Sequence, residues 1–217
     1  LYLVPGCAAG QLRVKTSPAT EAFSVSEGQG YGMLIVVTMA GQDPAAQRQF
    51  DALFRYVKAH PSVVTPNLMA WAQNEACRDI EGGDSATDGD LDIAYALLLA
   101  DRQWGSDGAI DYHAAALLVI DAILAGEIHP ANTILVGDWA GPEEAEYYGG
   151  TRSSDFMPGH AKAFAAATGE PRWTAVVDRL YGIVAILQAD HAPATGLLPD
   201  FIVGAATDAP SPAPPDW

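Results

Sequence analysis

Two acidic segments hold the residue types best suited to chemistry. In "VSEGQGYGM", residues 25–33, a single carboxylate, Glu27, sits among glycines just ahead of an apolar run. In "ATDGDLDIA", residues 86–94, Asp88, Asp90 and Asp92 alternate before a stretch that carries Ile93, Leu97 and Ala100 at helical spacing. Paired carboxylates suit general acid–base catalysis: a protonated acid serves the leaving oxygen while an ionised partner activates water. Each acid also has a plainer reading, because carboxylates in a helix's first turn are stabilised by free N–H groups and the dipole. Ser24 or Ser26 is the expected cap ahead of Glu27. Gly28, Gly30 and Gly32 carry a conformational cost, which close approach of a bulky ligand or tight packing against another backbone would offset. Asp88 and Asp92, four apart, share a helix face. A calcium loop is excluded, since its sixth position is Ile93 rather than Gly and its twelfth is Leu99 rather than Glu.

Aromatic residues beside loops supply the second ingredient. Trp71 in "NLMAWA", Trp139 in "VGDWAG" and the pair Tyr147–Tyr148 offer flat faces on which sugar rings stack. Trp104 and Trp173 read as packing residues. The five histidines show no metal-like pair and no coupling to an acid in the sequence. No nucleophile elbow, phosphate-cradling loop or zinc-spaced Cys/His set is present, so neither metal nor cofactor is expected. Carboxylates and aromatics on a helical scaffold remain, which is the equipment of glycoside hydrolysis.

Helical periodicity dominates the elements that must position these residues. It predicts helices at about 28–40, 44–59, 88–103, 109–125, 157–168 and 171–190, joined by polar loops, as in stacked helical hairpins. Short extended pieces are expected at 133–139 and 197–203, and the proline-rich end from 204 excludes helix. With 217 residues, 49% of them hydrophobic, the chain can bury a large core. A formal charge of −16 with three lysines disfavours nucleic acid and would attract a polycation. No apolar run is long enough to span a membrane. Cys7 and Cys77 allow one disulfide or two buried thiols.

The segments "SEGQGYGM" (26–33), "ATDGDLDIAYALL" (86–98), "GDW" (137–139), "SSDFMP" (153–158) and "TGLLPDFI" (195–202) together resemble glycoside hydrolase family 8. The resemblance follows the family's order and covers most of residues 20–203. It implies an all-α fold, an (α/α)6 barrel incomplete in this chain, with residues 1–217 as a single catalytic domain. It further implies inverting, endo-acting cleavage of a β-1,4 glucan, cellulose-type or mixed-linkage. Chitosan, xylan, or glycan binding without cleavage are the alternatives. By the resemblance Glu27 matches the general acid, with the glycines leaving room for the glycan and partial burial favouring the protonated form. Asp88 matches the carboxylate beneath the central sugar. Trp71, Asp90, Trp139, Tyr147, Arg152 and Asp155 match substrate contacts. The catalytic base is expected past Trp217. The expected partner is a polysaccharide, and the expected protein is a secreted one, extracellular or periplasmic, monomeric at full length.

Overall fold

A computed structural model describes residues 2–16, 21–215 and 217. The chain forms two compact units, Leu1–Ile123 and Leu124–Trp217.

The first unit opens with an antiparallel hairpin of β1 (Leu3–Pro5) and β2 (Leu12–Val14). Two-residue strands β3 (Ser24–Val25) and β4 (Ala72–Gln73) then pair, with Val25 opposite Ala72. Helix α1 (Ser26–Thr38) starts directly from β3, two residues earlier than expected, so Glu27 lies inside its first turn. Neither serine caps it. Val25 occupies the capping position, and the Ser24 hydroxyl donates instead to the Val14 carbonyl at 2.8 Å. Helix α2 (Ala46–Ala59) repeats apolar residues every three or four positions and buries Phe50, Leu53, Phe54 and Val57. Helices α3 (Thr87–Trp104) and α4 (Tyr112–Gly126) complete the set, and Ile93, Leu97 and Ala100 of α3 are fully buried, as their spacing predicts.

Helices α1 and α3 pack so closely that glycine is required at their crossing. A Cβ on Gly89 would lie 2.3 Å from Ser26 Oγ, and one on Gly30 would lie 2.6 Å from Asp92 Cβ. Gly32 meets β2 instead, where a Cβ would stand 2.5 Å from Val14 Cγ2. Gly30 and Gly32 are therefore explained by packing rather than by room for a ligand. Gly28 has only ordinary contact, 3.6 Å from Val14.

Two staples hold the hairpin to the loop after β4. Cys7 and Cys77 form a disulfide across 70 residues of sequence. The buried Arg13 guanidinium donates to the carbonyls of Asn74 at 2.9 Å and Glu75 at 2.7 Å.

The second unit is built on the helical pair α6 (Pro158–Thr168) and α7 (Arg172–His191), with a short turn of helix, α5 (Ala145–Tyr148), before it. Pro158 begins α6 and Gly169, in the left-handed region, ends it. Phe164 and the fully buried Trp173 pack edge to face at 5.0 Å, which confirms Trp173 as a packing residue. A three-stranded antiparallel sheet joins β5 (Thr151–Arg152), β6 (Phe201–Val203) and β7 (Ser211–Pro212). The expected extended piece at 197–203 thus narrows to β6, and the proline-rich end pairs with it. The other, 133–139, contributes only a single bridge between Ile134 and Ile128.

Candidate active site

Three of the sequence-derived candidates converge within the first unit, and the backbone around Trp71 brings them together. The Trp71 carbonyl accepts the Ser26 amide at 2.8 Å, supplying one of the free N–H groups that open α1 with a partner. The Trp71 amide donates to the Asp84 carbonyl, also at 2.8 Å, and Ala70 bridges to Ser85 just before α3. Trp71 therefore lies between the starts of the two helices that carry Glu27 and Asp88. Glu27, Trp71 and Asp88 are each half-buried, which leaves them open to a ligand.

The alternating aspartates separate into different roles. The Asp88 carboxylate accepts the Gly89 amide at 2.7 Å, in the first turn of α3. Asp90, two residues on, turns to the other side of the helix and is 1% exposed. Its Oδ1 accepts the Met69 amide at 2.9 Å. Expected to contact sugar, Asp90 is closed off from solvent here and anchors the segment that leads into Trp71. Asp92 is also buried, against Gly30.

Tyr31 is a member of this site that sequence reasoning left unassigned. One turn after Glu27, its phenol donates to Glu27 Oε1 at 3.0 Å. Burial, the bond to Glu27 and the charges of Glu27, Asp92 and Asp88 push its pKa up to about 12. All three carboxylates therefore act on one hydroxyl. The four-residue spacing from Glu27 was the available signal.

In the second unit an aromatic chain forms. Trp139 meets Tyr147 at 5.2 Å, Tyr147 meets Trp217 at 5.1 Å, and Trp217 meets Phe201 at 5.1 Å. Arg152 lies over Phe201 at 5.1 Å and pairs with Asp200 through Nε at 2.9 Å. Trp217, Phe201 and Asp200 were not foreseen; their register in β6 and the chain end had no periodic signal. Asp155, expected as a further sugar contact, is buried like Asp90, 2% exposed, and its Oδ1 accepts the Ser154 hydroxyl. Arg172 sets the loop before Trp139, donating to the carbonyls of Leu124, Ile128 and His129 and to Asn132 Oδ1. Beside it, burial and the Arg172 charge lower the pKa of His129.

Two acid–histidine couplings invisible in the sequence are present: His60 Nδ1 lies 2.8 Å from Asp79 Oδ1, and His113 Nδ1 lies 3.5 Å from Asp101 Oδ2. Among the described residues, no cluster of three or more His, Cys, Asp or Glu side chains could hold a metal, and no helix is long and apolar enough to cross a membrane.

Known proteins resemble this chain in sequence and fold. The family described as glycosyl hydrolases family 8 matches residues 6–214. A beta-glucanase of Niallia circulans is 52% identical over 181 residues, covering 83% of this chain and 44% of that protein. An endoglucanase of Bacillus sp. (strain KSM-330) is 43% identical over 196 residues, 90% of this chain and 41% of that protein. The solved apo beta-1,3-1,4-glucanase of Paenibacillus sp. X4 superposes with a TM-score of 0.91 at 47% identity, covering 98% of this chain and 55% of that one. The chain thus spans less than half the length of these curated relatives. Its fold is all-α, about half of the (α/α)6 barrel of its structural neighbours. By motif, sequence and fold, the chain belongs to glycosyl hydrolases family 8.

Proposed function

We propose that the chain is the acid-bearing part of an inverting, endo-acting glycoside hydrolase of β-1,4-linked glucan, with residues 1–217 belonging to one catalytic domain. The observation that carries this reading is that Glu27 and Asp88 both act on the Tyr31 hydroxyl while the Trp71 backbone is bonded between the starts of their two helices. Glu27 serves as general acid to the leaving glycosidic oxygen. Asp88 acts beneath the central sugar, helping to distort its ring and place the water, and Trp71 offers a stacking face. Trp139, Tyr147 and Arg152 supply further sugar contacts, while Asp90 holds the backbone that leads into Trp71. Inversion requires a base carboxyl about 6.5–9.5 Å from the acid, so that water fits between base and anomeric carbon.

The relatives named beta-glucanase and endoglucanase favour glucan, and the beta-1,3-1,4-glucanase favours mixed linkages within it. The Cys7–Cys77 disulfide supports an oxidising, extracellular or periplasmic location, as does a polymeric substrate. The working form is a monomer. A second reading is glycan binding without cleavage, a role for which the aromatic faces of Trp139 and Tyr147 are equally suited.

Reducing-end release from carboxymethyl cellulose, mixed-linkage glucan, chitosan and xylan tests both readings. Release from a glucan that Glu27→Gln abolishes supports the first. Binding of cello-oligosaccharides without release from any polymer supports the second. Release that survives Glu27→Gln removes Glu27 from the chemistry.

A further inference from the structure

We propose that Tyr31 is a positioning residue for Glu27, its phenol fixing which carboxyl oxygen carries the proton delivered to the leaving group. The inference rests on the reading of Glu27 as general acid. Tyr31 follows Glu27 by four residues on α1, and its O–H points at Oε1 from 3.0 Å. An oxygen that accepts the phenol's hydrogen is the carbonyl oxygen of the neutral acid, so the acid's own proton sits on Oε2.

The step then balances. The Oε2–H bond breaks and its proton goes to the glycosidic oxygen. That oxygen keeps the electron pair of the breaking bond to the anomeric carbon, while water, relieved of a proton by the base, bonds that carbon from the opposite face. Glu27 is left as a carboxylate with Oε1 still bound to the phenol.

A phenol suits this task better than a cation. Lysine or arginine would favour ionised Glu27 and so oppose its work as an acid, whereas a phenol gives direction without net charge. Burial, the bond to Glu27 and the charges of Glu27, Asp92 and Asp88 hold back its ionisation, so it remains a donor throughout the neutral range. A surface-only role would make the pair an ordinary helix contact at four-residue spacing.

Tyr31→Phe keeps the ring and removes the hydroxyl. Since Tyr31 is 49% exposed, the variant should fold and melt like the parent. Two substrates separate the roles: a cello-oligosaccharide, whose alkoxide must be protonated to leave, and a dinitrophenyl β-cellotrioside, whose leaving group departs unaided. Positioning predicts that kcat falls roughly tenfold on the first, with KM held, and changes less than about twofold on the second. Equal losses on both, or none on either, overturn the proposal. Glu27→Gln that still cleaves the oligosaccharide would instead sink the acid assignment. If neither substrate is cleaved, ¹³C-tyrosine NMR decides, with Tyr31 assigned by its missing signal in Tyr31→Phe. Its phenol should titrate lower in Glu27→Gln than in the parent, and identical titrations overturn the proposal.

Discussion

Gly89 of α3 rests so close against Ser26 of α1 that a methyl group there would lie 2.3 Å from the serine Oγ and 2.6 Å from its carbonyl carbon. The helix that opens with the candidate acid and the helix that opens with Asp88 therefore meet backbone to side chain, with no intervening atom. Substituting alanine forces one of them to move. Gly89→Ala and Gly30→Ala should each destabilise by about 1–3 kcal/mol, as overpacking does. Gly28→Ala is the control: with 3.6 Å to its nearest neighbour, it should be neutral or gain roughly 0.5–1 kcal/mol. Urea unfolding midpoints distinguish these outcomes. Equal effects at Gly28 and Gly30 would refute the packing account.

Asp90 anchors the approach to Trp71 through the buried amide of Met69. Asp90→Ala leaves that amide without its partner, which should cost about 1–3 kcal/mol. Oligosaccharide binding should weaken as well, through displacement of Trp71. Denaturation and binding isotherms run side by side check this. A variant that loses binding while keeping full stability would return Asp90 to the list of direct sugar contacts.

The disulfide closes a long loop. On loop-entropy grounds, a separation of 70 residues corresponds to about 4 kcal/mol. Cys7→Ser with Cys77→Ser, or a reductant added to the parent, should lower the melting temperature accordingly. Scanning calorimetry with and without reductant measures it, and coincident transitions would deny the crosslink a stabilising role.

Stability should also depend on pH near His129. Burial, and then the Arg172 charge, lower its folded pKa below the ordinary 6.5. Above 6.5 the ring is neutral in both folded and unfolded chains, so its contribution is constant and fully present. As pH falls below that value, the unfolded chain takes up the proton first, and stability declines until the folded pKa is passed. His129→Gln should remove this part of the slope in urea midpoints measured from pH 7.5 to 5. An unchanged slope would assign it to other groups.

The helices were legible because their apolar residues repeat at helical spacing and proline, glycine and aspartate mark their ends. The acids were legible for the same reason, each falling at a helix start. What escaped was everything made by two-residue strands. Residues 24–25 and 72–73 carry no periodicity, yet their pairing brings Trp71 between Glu27 and Asp88. Asp90 shows the complementary difficulty. In the sequence it is indistinguishable from Asp88, and only the turn of the helix sends one toward solvent and the other toward Met69. The glycines about Glu27 were legible as unusual, but whether a ligand or a neighbouring helix required them was decided by tertiary structure alone.

The Cys7–Cys77 bond has one more consequence. Glu27 and Trp71 both lie inside the covalent circle that it closes, and Asp88 lies outside. The largely exposed turn at 39–42, between α1 and α2, belongs to the same circle. A protease that cuts there opens the ring without releasing a fragment, and the two pieces separate on a gel only after reduction. After such a cut the segment bearing Glu27 stays tethered to the segment bearing Trp71.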